Sequence, residues 1–433
     1  MISFLIRYAS MLTLLVSILA CQPKDTTVNA DGVTVSLRPL WQTPANTGAG
    51  SRLAYGVYTA VATQNAVITP GVIPYPAKEP FGRAVWVMRD VTTGRDLWQW
   101  NDYMTGFENG YLDIPCVSNN RLLYNNGPRT HCIDLNTGRT LWQKWKRDSL
   151  NSTVPIVALG DSYFFCGTFK SRTVKDQTQS AVYRGSLLAP TEEAFVVEPQ
   201  LPQEYFGILT SPFGSISLQV FARQADTLLV VDYQTATNEA PNFFRSVYGL
   251  YNITRKTWEY KDVPLTAPAY GAVVDGLPRI FQGNVYHSVG RFMTCHDLTT
   301  GKPIWENKYG GNFLFSGFLV VDNTVVANCE DGYIYGLDPQ TGAQRWKEKS
   351  SGTSTRLYYQ NGVVYYAGGG DGLLHAVDVL TGKHLWKLQS PDTKRSSSAF
   401  FQGMVAGVAG SGGSPGRIIA NTGFSIVAYQ AAR

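Results

Sequence analysis

The chain is poor in charge. Only 16 % of its 433 residues are Asp, Glu, Lys or Arg, and the formal net charge is +5. Its cations are spread out and form no block, which argues against a nucleic-acid-binding surface, because phosphate recognition clusters them. Histidine is scarce, with 5 residues. His131 and His375 each stand three positions before an equivalent Asp of the repeat described below, so they mark a strand face and no metal site. The 6 cysteines form no C-x-x-C and no zinc spacing. C-x-x-C-H, the haem-attachment motif, is absent as well. Cys21 aside, Cys116, Cys132, Cys166, Cys295 and Cys329 are odd in number and fit no complete disulfide framework, so buried thiols are expected. The apolar run Met11–Ala20 is too short for a transmembrane helix.

What the chain has is apolar and aromatic. Hydrophobic residues make up 44 % and aromatics 12 %, with 42 glycines. That mixture suits many short strands and tight turns, and it supplies enough apolar surface for a large core.

One signature recurs, Asp-x-x-Thr-Gly-x-x-x-Trp. Its copies are Asp90, Thr93, Gly94 and Trp98; Asp134, Thr137, Gly138 and Trp142; Asp297, Thr300, Gly301 and Trp305; Asp338, Thr341, Gly342 and Trp346; and Asp378, Thr381, Gly382 and Trp386. Successive tryptophans lie about 40 residues apart in the regular part of the chain, the period of a propeller blade. An alternating strand precedes each Asp and another follows each Gly. Thr-Gly therefore reads as a hairpin turn, with Gly in the left-handed conformation and the Asp and Thr oxygens bonding turn amides. The Trp is an apolar plate packed on the next blade. Trp258 closes a degenerate copy, and the stretch between Trp142 and Trp258 holds two enlarged blades with an unclear closure near Glu198.

Val33–Trp41 reads as an outer strand with its closing Trp41 but no blade before it, and the C-terminus offers three strands with no closing Trp. Pairing the two completes a last blade and removes an open sheet edge. The expected fold is all-β, an eight-bladed propeller of four-stranded antiparallel blades with its ring closed by an N-terminal strand. Seven blades is the alternative, if the middle is one blade with insertions.

Literal enzyme motifs carry little. Gly412-Gly-Ser414-Pro-Gly416 spells G-x-S-x-G, but a strand follows where a nucleophile elbow needs a helix. Gly368–Gly372 lacks the Lys-Ser/Thr and helix of a phosphate loop. Asp331-Gly332 and Asp371-Gly372 hold one repeat position and read as hairpin turns.

Arg7 and the run Met11–Ala20 read as a signal peptide over 1–20. It ends at Ile18-Leu19-Ala20-Cys21, which resembles a bacterial lipobox and implies lipid attachment at Cys21. Residues 21–32 then form a polar tether and 33–433 the propeller. The repeats resemble the PQQ-like repeat of quinoprotein-like propellers. That family includes quinone-dependent alcohol dehydrogenases and non-catalytic lipoproteins similar to the BamB subunit of the outer-membrane β-barrel assembly machine. The resemblance, with the anchor, implies a monomeric envelope scaffold, lipid-anchored at the outer membrane, whose partners are envelope proteins such as an outer-membrane β-barrel. No catalytic residue, metal or cofactor is expected. The alternatives are a carbohydrate- or small-ligand-binding propeller and a diverged dehydrogenase using PQQ with calcium; the vicinal Cys-Cys pair typical of such dehydrogenases is missing. The long segments Thr69–Arg83, Phe169–Gln179 and Gln234–Phe244 are the expected contact loops.

Overall fold

The computed structural model describes residues 26–44, 61–63, 65–73, 83–100, 115–126, 129–145, 151–152, 156–170, 178–191, 193–199, 217–236, 244–266, 276–313, 317–352, 354–395, 400–410 and 415–433. The strands form eight sheets. Blades 1 to 6 span residues 61–100, 116–145, 151–197, 217–264, 279–308 and 318–349, blade 7 spans 358–388, and blade 8 begins at 402. Consecutive strands pair antiparallel within each blade, first to fourth, and first strands touch between blades 8 and 1, 2 and 3, 3 and 4, 5 and 6, and 7 and 8, on the inner wall.

The second strand of each blade is buried on both sides. Thr324–Cys329 is buried throughout, with Val325 packed toward blade 5 and Val326 toward blade 7. Side chains alternate along a strand, so one apolar run feeds two interfaces. Eight apolar clusters result, one between each pair of neighbouring blades. The eighth joins Ile419, Ile426 and Ala428 of blade 8 to Val67 and Val91 of blade 1. An open row of eight blades would have seven such interfaces, so the eighth closes the ring.

The termini share blade 8. Its inner three strands are Gln402–Val408, Arg417–Asn421 and Ser425–Gln430, and its outer strand is Trp41–Pro44, with Trp41 opposite Ala428 and Pro44 opposite Ser425. Asp392, 1 % exposed, fastens this strand: Gln42 Nε2 donates to its Oδ1 at 3.0 Å and Thr422 Oγ1 to its Oδ2 at 2.5 Å.

The segment Val33–Trp41 is not one strand. Thr34–Leu37 lies beside the outer strand of blade 7, parallel to it with Thr34 opposite Trp386, and only Trp41–Pro44 belongs to blade 8. Thr26–Val28 pairs back on Thr34–Leu37, so the 21–32 segment, expected to be only a tether, contributes a strand at 26–28 and the turn that follows it. The β-branched run Thr26-Thr27-Val28 suits that geometry.

Within a blade, the first-to-second and third-to-fourth connections leave on one side of the ring, here the turn face. The second-to-third connections and those between blades leave on the other, the loop face. On the turn face, first and second strands meet in two-residue turns at Asn119-Asn120, Gln282-Gly283, Asp322-Asn323 and Asn361-Gly362, with both residues at positive φ. Such turns match the twist of the strands and favour Asn, Asp and Gly.

Candidate interaction face

The signature residues all lie on the turn face. In all five copies the Asp Oδ1 accepts from the Thr backbone amide at 2.7–2.9 Å and from the Thr hydroxyl at 2.7–3.1 Å. The Gly amide closes the turn on the Asp carbonyl, as Gly94 does at 2.8 Å. The bonds from the Thr300 hydroxyl and amide hold Asp297 below the usual carboxylate range. At Asp338 the Arg345 guanidinium is the main cause of the same shift. The Oδ1 atom of each signature Asp is thus occupied by the turn itself.

The tryptophans reach across to the following blade. Nε1 of Trp41, Trp98, Trp142, Trp305 and Trp346 donates to the carbonyl of Val91, Leu135, Leu187, Pro339 and Val379 at 2.8–3.1 Å. Four of these rings lie flat on the signature Gly of that blade: a Cβ added at Gly94, Gly138, Gly342 or Gly382 would sit 2.6–2.7 Å from a ring carbon. Trp386 packs between Tyr365 and Tyr429 in the interface of blades 7 and 8.

Trp258 does not dock this way. Its ring lies on Gly249 of its own blade, near Tyr233 and Tyr251, while Tyr260 supplies the bond to Leu298 O at 2.9 Å and the ring over Gly301. Two register shifts between the third and fourth strands of blade 4, at Tyr248/Leu250 and Leu250/Tyr251, carry the docking position two residues along the chain. The closure expected near Glu198 is the outer strand Ala194–Val197, and the turn preceding it supplies Leu187 to Trp142.

The three expected contact loops all join second to third strands, so all leave on the loop face. Strand pairing runs further into them than their sequence implies: Ile73 pairs with Arg83, Lys170 with Thr178, and Ala236 with Phe244. The tips, 74–82, 171–177 and 237–243, lie outside the described residues, as do Cys21 and Ser414.

The described part of the loop face carries aromatics paired with cations. Arg129 stacks 3.8 Å from the ring of Trp145, which is 57 % exposed. Lys347 lies 3.8 Å over Tyr333, 37 % exposed, and Arg395 lies 5.7 Å from Phe424, 39 % exposed. Aromatic and Arg side chains are the usual anchors of protein interfaces, and a cation over the ring fixes its pose. Sequence reasoning missed these pairs because their members come from different strands or connections.

Asp331 and Asp371 also lie here, each used by its own hairpin. Tyr335 Oη donates to Asp331 at 2.6 Å, and His375 Nε2 lies 3.0 Å from Asp371. Deeper, between blades 4 and 5, His287 Nδ1 lies 3.0 Å from Asp232 Oδ2 with both side chains 0 % exposed. Burial raises the Asp232 pKa against the pull of His287. Among the described residues no three His, Cys, Asp or Glu are grouped so as to hold a metal ion. The five cysteines from Cys116 onward are in no disulfide. No described helix is long and apolar enough to cross a membrane.

A closed ring of eight such blades is a β-propeller. A family profile described as outer membrane protein assembly factor BamB matches residues 254–432. Among solved structures, BamB from Moraxella catarrhalis is similar at 13 % identity and TM-score 0.54, covering 86 % of this chain and 96 % of that one. The quinohemoprotein alcohol dehydrogenase from Comamonas testosteroni is similar at 12 % identity and TM-score 0.60, over 94 % of this chain and 76 % of that one. A computationally designed protein, Ika8, is similar at 13 % identity and TM-score 0.58, over 90 % and 99 %. No curated protein matches. The chain is an eight-bladed β-propeller whose residues 254–432 are similar to the BamB family.

Proposed function

We propose that this propeller is a non-catalytic, lipid-anchored envelope scaffold whose loop face binds other proteins, in the assembly of outer-membrane proteins. The observation that carries the reading is the division of labour between the faces. The turn face spends its polar groups on fastening blade to blade, while the loop face collects the long connections and presents Trp145 and Tyr333 beside cations. The BamB profile over 254–432 supports the process, and the signal and lipobox-like sequence supports the anchor. The test is in-cell photocrosslinking from positions 145 and 333 with partners identified by mass. A reproducible envelope-protein partner, reached from these positions and not from Leu380 on the turn face, supports the reading. No partner from either position refutes it, and a quinone-plus-calcium titration would then examine the dehydrogenase alternative.

A further inference from the structure

The N-terminal strands fix where the chain leaves the ring. Thr34–Leu37 runs parallel to the outer strand of blade 7, His384–Leu388, so Leu37 lies toward the Leu388 end, which is the loop-face end. Thr26 pairs with Leu37 and so leaves from the same edge. Four residues lie between Cys21 and Thr26, so five Cα-to-Cα steps separate them. Fully extended, they reach no further than about 18 Å. An acyl chain on Cys21 therefore holds this edge of blade 7 close to the bilayer.

The loop face beside that edge has the chemistry of a membrane interface. Phe400 and Phe424 are 49 % and 39 % exposed. Phe400 rests on Gly372 in the second-to-third turn of blade 7, and Phe424 lies in the corresponding turn of blade 8. The connection from blade 7 to blade 8 presents Lys394 and Arg395, both exposed, with Arg395 5.7 Å from the Phe424 ring. The nearby carboxylates are partnered: Asp392 is buried against Gln42 and Thr422 with the exposed Arg395 guanidinium 3.6 Å away, and Asp371 faces His375. Exposed rings with adjacent cations suit the headgroup region of an anionic membrane.

We infer that the loop-face edge of blades 7 and 8, around Phe400, Phe424, Lys394 and Arg395, rests on an anionic phospholipid surface, which leaves blades 2 to 6 turned toward solvent and partners. This rests on the lipid-anchored reading of Cys21. The test uses the full chain with Phe424→Cys or Phe400→Cys carrying an environment-sensitive fluorophore, and Phe195→Cys on blade 3 as the distant site. Vesicles of phosphatidylethanolamine and phosphatidylglycerol at 3:1 are added, with brominated lipid as quencher. Quenching at 424 and 400 with none at 195 is expected. Lys394→Gln and Arg395→Gln should each weaken vesicle association of a chain lacking the acyl group about fivefold. No quenching at 424 or 400, or equal quenching at 195, overturns the inference; a protein partner protecting 424 in place of lipid does so too. The anchor is read separately. The other thiols are buried or half-buried, so an unsubstituted chain takes up no label if Cys21 is acylated and one if it is not, and the vesicle result stands in either case.

Discussion

Replacing Gly342 by Ala should cost several times more stability than replacing Gly283 by Ala, although both glycines have positive φ. Gly283 has φ +79° and nothing within 4 Å of an added Cβ. Its substitution carries only the strain of a left-handed L-residue, roughly 1 kcal/mol. Gly342 has φ +70°, and an added Cβ would sit 2.7 Å from Trp305 Cδ2. The ring must move. It then gives up its 2.8 Å bond to Pro339 O, about 1 kcal/mol, and part of its packing on blade 6, a further ~1–2 kcal/mol. The expected loss is about 4 kcal/mol against about 1. Urea unfolding of both variants, followed by tryptophan fluorescence and far-UV circular dichroism together, measures the difference. Equal losses would refute the idea that the ring on the glycine, and not the turn conformation, is what the signature protects.

Asp392→Ala should destabilise by about 2–4 kcal/mol, since it strips acceptors from Gln42 and Thr422 at a site 1 % exposed; limited proteolysis should then cut first near Trp41–Pro44. Burial lowers the pKa of His296 and of His384 to about 3, below the unfolded value of about 6.5. The unfolded chain therefore takes up protons first as pH falls. Their contribution is complete above about pH 6.5 and is lost toward pH 3, about 1 kcal/mol for each by pH 5.5. Urea midpoints at pH 7 and 5.5 check it, and no decline in stability would contradict the neutral state of these two histidines. Burial pushes the thiols of Cys116, Cys132 and Cys329 up to about 11 and Cys295 to about 12, so a thiol reagent at pH 8 should leave all four unmodified until denaturant is added.

What the sequence made legible was what repeats. Asp, Thr, Gly and Trp recur at fixed spacing because each turn solves the same steric problem, and counting the closures reached eight blades. Where a blade departs from the repeat, the reading slipped. In blade 4 the two register shifts hand the docking bond to Tyr260, and a search for tryptophan alone selects Trp258. The hairpin ahead of Trp41 was hidden because Thr26–Val28 and Thr34–Leu37 belong to the edge of blade 7, while the next four residues of strand belong to blade 8. Candidate interface residues were illegible for another reason. Arg129 and Trp145 meet because the two strands that bear them place them opposite each other, and a single cation–aromatic pair has no periodicity to announce it.

This separation of repeated from unrepeated residues has an energetic basis. Blades are fastened at the turn face by Trp-to-carbonyl bonds and along the interfaces by the eight apolar clusters, and neither device involves the second-to-third connections. Lengthening such a connection costs only loop-closure entropy, about 0.6 kcal/mol per doubling, so the loop face of this ring can vary at little expense to the fold. Substitutions should therefore divide by face. Trp145→Ala, with its ring 57 % exposed, should leave the unfolding midpoint nearly unchanged and abolish crosslinks that include blade 2. Trp305→Ala, whose ring is buried against blade 6, should lower stability by about 3–5 kcal/mol while the surviving folded fraction keeps its crosslinks. The opposite pattern, a stability loss at 145 or a binding loss at 305 in folded protein, would mean that binding and ring closure share residues, and the scaffold reading of the loop face would fall with it.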